Sequence, residues 1–200
     1  MLVNDLSESQ VLSLIRDNTL WFGTGPRDGS RYNLTGAVTT NWNQGRTENV
    51  TLSADLRRYL RTSQWTTIAL RAQARWSEGA DPQRFAMGGS YSIRGYPRRS
   101  IFGTRYYLMN AEYRFPLFER LRLGVPLQGF ELPGVESAVF ADAGNAWEKF
   151  ESFSKPRGSF GVGFRMNLGG YFVLRYDIAR RTDFKNVIPC YGTSGLSEEH

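Results

Sequence analysis

The chain has 200 residues, enough for one domain with a sizeable core, a formal net charge of +6, one cysteine and one histidine. Cys190 has no partner for an internal disulfide and His200 is terminal, so no metal, no cofactor and no catalytic residue is expected. No run of about 18 apolar residues occurs, which excludes a membrane helix but not transmembrane strands, whose alternating residues keep mean hydropathy low.

Taken in order, the elements repeat with a period of two rather than 3.6. Segments 9–17 and 31–42 are weak strands. In 50–57, Val50, Leu52, Ala54 and Leu56 oppose Thr51, Ser53, Asp55 and Arg57. In 65–76, Ile68, Leu70, Ala72, Ala74 and Trp76 oppose Thr67, Ala69, Arg71, Gln73 and Arg75. A long connection, 78–103, follows; at this length such segments are functional or disordered, and its arginines and aromatics favour order. In 106–115, Tyr107, Met109, Ala111, Tyr113 and Phe115 oppose Tyr106, Leu108, Asn110, Glu112 and Arg114. Segment 135–147 is weaker. In 159–168, Phe160, Val162, Phe164, Met166 and Leu168 oppose Ser159, Gly161, Gly163, Arg165 and Asn167. In 171–180, Phe172, Leu174, Tyr176 and Ile178 alternate with Val173, Arg175, Asp177 and Ala179. Residues 184–200 read as a tail, a poor final strand with a proline inside it.

The expected fold is therefore all-β, an antiparallel up-and-down meander of about eight strands over 1–183, most near the roughly 9–11 residues that cross a bilayer at a tilt. Alternation alone does not separate a transmembrane barrel from a soluble β-barrel binding protein with its apolar face inside. The mixed charged and small opposite face, and apolar faces that end in Trp65, Trp76, Tyr107, Tyr113 and Phe115, point to a wet lumen and interfacial girdles. The basic residues are spread over alternate strand positions, so no nucleic-acid partner is expected.

Four stretches carry a family resemblance in order: Gly88-Gly89…Ile93-Arg94-Gly95-Tyr96, then Tyr106 to Pro116, then Phe140-Ala141-Asp142-Ala143-Gly144-Asn145-Ala146-Trp147, then the glycine-alternating 158–168 and 171–178 strands. Together they resemble the bacterial surface antigen family, which holds the BamA- and TamA-type outer-membrane insertases and the two-partner-secretion TpsB transporters. The resemblance implies a bacterial outer-membrane barrel, or less readily an organellar one. Its implied partners are outer-membrane lipid and substrate outer-membrane or secreted proteins. It also implies that the loop arginine Arg94 folds into the lumen and meets Asp142 and Glu112, with Phe140 and Gly144 beside them. Gly88, Gly89 and Gly95 would let that backbone turn sharply.

Counting turns gives a topology problem. If 78–103 is extracellular, 43–47 and 148–157 share its side, and 23–30, 62–64, 116–122 and 169–170 lie opposite. The eighth strand would then end on the extracellular side. An eight-stranded interior is filled by its own side chains and cannot take a loop of 26 residues, 78 through 103. The chain thus reads as half of a larger barrel, whose partner is its missing N-terminal strands and periplasmic domains. A closed eight-stranded barrel, or a second copy pairing edge to edge, remains an alternative. The start, MLVNDLSESQ, lacks a signal peptide, which reads as a processed chain or a piece of a longer gene. An alternative function is the membrane anchor of a patatin-like phospholipase, although no Gly-x-Ser-x-Gly elbow is present.

Overall fold

A computed structural model of the chain describes residues 7–22, 24–43, 45–118, 121–122, 131–132, 134–151, 156–168, 172–182 and 187–195. Its strands are β1 (Ser7–Asp17), β2 (Leu20–Phe22), β3 (Gly25–Asn41), β4 (Arg46–Arg61), β5 (Thr67–Gly79), β6 (Phe85–Met87) and β7 (Ile101–Gly103). They continue as β8 (Arg105–Phe118), β9 (Leu121–Arg122), β10 (Glu131–Leu132), β11 (Val135–Trp147), β12 (Arg157–Leu168), β13 (Phe172–Arg181) and β14 (Val187–Gly195). One antiparallel sheet runs β1-β3-β4-β5-β8-β11-β12-β13-β14, with β2 paired to β3. β1 and β14 are its two edges, so among the described residues the sheet is an open wall, a partial barrel.

The alternation sets the faces as the period of two requires. Met109, Tyr113, Val139, Phe160, Val162 and Leu174 stand exposed on the outer face. Glu112, Asp142, Arg165 and Asp177 are buried on the inner one. The sheet is strongly curled. β3 and β11 lie four places apart, yet Arg27 pairs with Glu136 (3.1 Å), and Thr24 donates to the same carboxylate.

Three features differ from the sequence expectation. First, 187–195 forms a ninth meander strand, with Pro189 opposite Ile178. An edge strand pairs on one side only, so a residue without an N–H is tolerated there. Gly195 lies opposite Phe172, which returns the chain to the end of the sheet that holds the turn after Asp17. Second, 25–30 lies inside β3, because the turn falls at Asn18-Thr19, where Asp17 Oδ1 accepts from the Thr19 amide (2.9 Å). Third, β8 runs on through Pro116 to Phe118, and the ladder there is irregular where Val135 and Glu136 pair with it. The stretch 78–103 also holds a small ladder of its own, β6 against β7.

Candidate functional site

The segment between β5 and β8 lies on the concave face. Its apolar side is a cluster of Phe85, Met87, Ile93 and Ile101 against Tyr106 and Leu108 of β8 and Ala146 of β11. Ile93 is fully buried there, which is what an apolar residue beside Arg94 contributes. The turn closes on itself: the Gly88 amide donates to Ser92 Oγ (2.8 Å) and the Gly89 amide to the Tyr96 carbonyl (3.1 Å). Gly88, Gly89 and Gly95 all have positive φ (116°, 102° and 81°), a region that favours glycine. Gly95 also packs against β13, where a Cβ would stand 3.3 Å from that of Ala179.

This turn delivers Arg94, 1% exposed, to the wall. Its Nε and Nη2 donate to Asp142 Oδ2 (2.7 Å) and Oδ1 (2.6 Å), a bidentate fork. Its own amide adds a third bond to Asp142 Oδ2 (3.1 Å). Nη1 donates to Glu112 Oε1 (2.6 Å) and lies 3.9 Å from Asp177 Oδ2. The guanidinium carbon sits 3.4 Å from the Phe140 ring centroid, a cation–π stack. An arginine stays charged at any accessible pH, so this burial is tolerable only because every face of the group is met.

Each carboxylate is held in turn. Asn110 Nδ2 bridges Asp142 Oδ1 (2.8 Å) and the Ser92 carbonyl (2.9 Å), tying wall to loop. Ser159 Oγ lies 3.4 Å from Asp142 Oδ2. Glu112 accepts from Arg165 (2.7 Å), Arg114 (3.0 Å) and Arg175 (3.3 Å) as well as from Arg94. Arg175 Nε also reaches Asp177 Oδ2 (2.8 Å). Arg181 donates to the Gly95 carbonyl (2.8 Å) and stacks 4.5 Å from the Tyr96 ring.

All the residues singled out from the sequence thus lie in one neighbourhood, but with different contacts. Gly144 faces Met87 of β6, whose Cε would be 3.1 Å from a Cβ placed there. Asp177, Arg165 and Arg175 were not among the candidates. Their signal was available in the inner-face parity of 159–168 and 171–180, closed by the Gly169-Gly170 turn. Gly163 of β12 makes room for one of them: a Cβ there would overlap Asp177 Oδ1. Among the described residues no group of His, Cys, Asp and Glu side chains is arranged to hold a metal ion.

The curled antiparallel wall, apolar outside and charged inside, is that of an outer-membrane β-barrel. Residues 13–187 match the Omp85 superfamily domain, and the chain belongs to that superfamily. Among solved structures it is similar to BamA from Haemophilus ducreyi lacking POTRA domains 1–3, with a TM-score of 0.74 and 16% identity. That match covers 94% of this chain and 42% of the other, so the chain spans less than half the length of that BamA structure. A comparison with curated proteins finds no match.

Proposed function

We propose that the chain is the C-terminal part of a barrel that inserts or translocates proteins at the bacterial outer membrane, with Arg94 locking the lumen loop to Asp142 and Glu112. The observation that carries this reading is the lock itself. A buried cation on a loop is satisfied by the inner wall, chiefly β8 and β11 with Asp177 of β13 nearby, within an Omp85 superfamily domain. The work is mechanical. The loop braces one wall while the open edges β1 and β14 accept further strands. Those strands belong to an N-terminal part of the same protein. The β1 edge supports this reading: Val11 and Ile15, on its inner face, are 63% and 59% exposed and lack a neighbouring wall.

The long loop and the end of β11 at Trp147 lie at the outer side of the membrane. The strand ends at Asp17, Arg61, Leu168 and Gly195 lie at the periplasmic side. Two measurements test the reading. The protein should require detergent or lipid to stay monodisperse, because its outer face is largely apolar, with Met109, Tyr113, Val139, Phe160, Val162 and Leu174 exposed there; a β-rich monomer in plain buffer overturns the membrane assignment. Depleting the gene in its host should lower the folded, heat-modifiable forms of other outer-membrane proteins or the export of a partner protein. Arg94→Ala should complement that loss less well than the unsubstituted gene. Unchanged levels and unchanged secretion on depletion would overturn the insertase or translocase role.

A further inference from the structure

The outer face carries a groove that the lumen network does not explain. Two neighbouring rows of register partners cross the sheet there. One runs Tyr32, Leu56, Ala72, Met109, Ala143, continued on β1 by Arg16 just outside the cavity lining, and the next runs Arg58, Leu70, Ala111, Ala141. Alanines floor the middle and far end, and leucines, Tyr32 and Met109 rise beside them. The cavity volume is about 440 Å³ and its lining is almost wholly apolar, within the roughly 300–1,000 Å³ of sites that bury small organic ligands. From β3 to β11 it crosses four interstrand spacings, about 19 Å. With strands tilted by about 45°, roughly 13 Å of that lies along the membrane normal, close to the roughly 15 Å that one leaflet contributes to a hydrocarbon core. An apolar groove of that span on a lipid-facing surface can take one acyl chain along it.

The near end is charged. Arg58 stands exposed on the outer face between Leu56 and Leu60, and Arg16 shares the row of Tyr32. Neither makes a hydrogen bond or ion pair with a described residue. Two nearby carboxylates are turned inward and already engaged, Asp17 with Arg31 (3.6 Å) and Asp55 with Arg71 (2.6 Å), while Asp28, two residues from Arg58's register partner Ser30, accepts from the Gly29 amide (2.8 Å). A cation among lipid-facing leucines is costly unless it snorkels to an anion. Arg58 lies three residues from the end of β4 at Arg61, about 10 Å along the strand, which is within reach of the headgroup layer. The two arginines are two strand spacings and two residues apart, about 12 Å between backbones, a gap that two extended side chains close from either side.

We propose that this groove binds an anionic phospholipid, with one acyl chain along the alanine floor and the phosphate between Arg16 and Arg58. The proposal rests on the membrane reading above, since it needs the outer face to meet lipid. The cations lie at the turn end of the sheet, so the lipid comes from the leaflet on that side.

The test uses the full-length protein that carries this sequence, purified in a neutral detergent. It is incubated with phosphatidylglycerol or phosphatidylcholine of identical chains, and bound lipid is counted by native mass spectrometry. Phosphatidylglycerol should be retained in preference, by about fivefold for each arginine. Arg16→Gln with Arg58→Gln should erase the preference. Ala111→Leu, and separately Ala141→Leu, should lower retention of both lipids by filling the groove. Arg180→Gln, on the outer face of β13, should change neither. Heat-modifiable migration identifies which of the two groove-filled variants is folded and counts as the test. Equal retention of the two lipids, full retention by a folded groove-filled variant, or an equal loss with Arg180→Gln overturns the proposal. Preferred retention of lipid A over phosphatidylglycerol overturns the phospholipid assignment. Failure of the membrane reading looks different: the unsubstituted protein would be monodisperse without detergent before any lipid is added.

Discussion

Arg94 and Asp142, 48 residues apart, meet through three hydrogen bonds, two from the guanidinium and one from the Arg94 amide. The side chain and the backbone of one residue are therefore read by one carboxylate. Among the described residues Arg94 is the one cation that pairs with Asp142, whereas Glu112 pairs with Arg114, Arg165 and Arg175 as well. This asymmetry decides what each substitution does.

Arg94→Ala should cost the loop rather than the wall. Breaking a buried pair from one side costs on the order of 3–5 kcal/mol, and a wet lumen brings this towards the lower figure. Strand pairing holds the wall, so the unfolding midpoint should move little while the amides of 92–95 lose hydrogen-exchange protection. Arg94→Lys should not restore it, since a point charge cannot reproduce the fork to Asp142 and the bond to Glu112 together. Protection restored by lysine would show that charge alone docks the loop.

Asp142→Asn should resemble Arg94→Ala, and the double variant should lose less than the two singles summed, with a coupling of about 1 kcal/mol or more. Additive losses would mean that the two side chains do not stabilise one another. Glu112→Gln should behave otherwise. It leaves Arg94, Arg114, Arg165 and Arg175 facing a neutral amide, so the wall itself should weaken and the unfolding midpoint should fall. A Glu112→Gln variant that only frees the loop would contradict that reading.

Much of this was legible in the sequence. The period of two marked eight strands because each lipid-facing residue alternates with a lumen-facing one, as in Phe160 against Ser159. The loop motif and its partners Glu112 and Asp142 came from their resemblance to a family, not from spacing. β14 was not legible, since Pro189 weakens the strand signal and its tolerance depends on being at an edge. The roles of Asp177, Arg165 and Arg175 needed the register of β12 on β13, which alternation alone does not supply. The Arg27–Glu136 pair depends on how far the sheet curls, which no local pattern encodes.

Gly163→Ala tests whether β12 is a fitted wall. A methyl there would overlap the Asp177 carboxylate, which Arg175 holds from the other side (2.8 Å). Overpacking of this kind costs typically about 1–3 kcal/mol. The unfolding midpoint in denaturant should fall, and an unchanged midpoint would show that Asp177 swings aside freely.

Arg27 and Glu136 make a second closure, at the opposite end of the lumen from the long loop. The same start of β3 is fastened again by Arg114, which donates to the Pro26 carbonyl (3.4 Å), and by Thr67, which donates to the Arg27 carbonyl (3.3 Å). Three attachments on β5, β8 and β11 thus fold the hairpin of β2 and β3 across the opening. Their sharing predicts a graded response. Arg27→Ala removes the ion pair and the bond to the Trp65 carbonyl (2.6 Å), but leaves the two backbone attachments and the bond from Thr24 to Glu136, which a glutamine oxygen at 136 can still accept. The pair is largely buried, so its loss exceeds the roughly 0–1 kcal/mol of a surface bridge. Hydrogen exchange at the amides of Gly25, Arg27 and Asp28 should quicken by more than the corresponding factor of about five, with no change at Arg94. Adding Glu136→Gln to Arg27→Ala should quicken it little further, because the pair is already broken. If exchange at Arg94 rises together with that at 25–28, the two closures act as one body rather than as separate ends of the lumen.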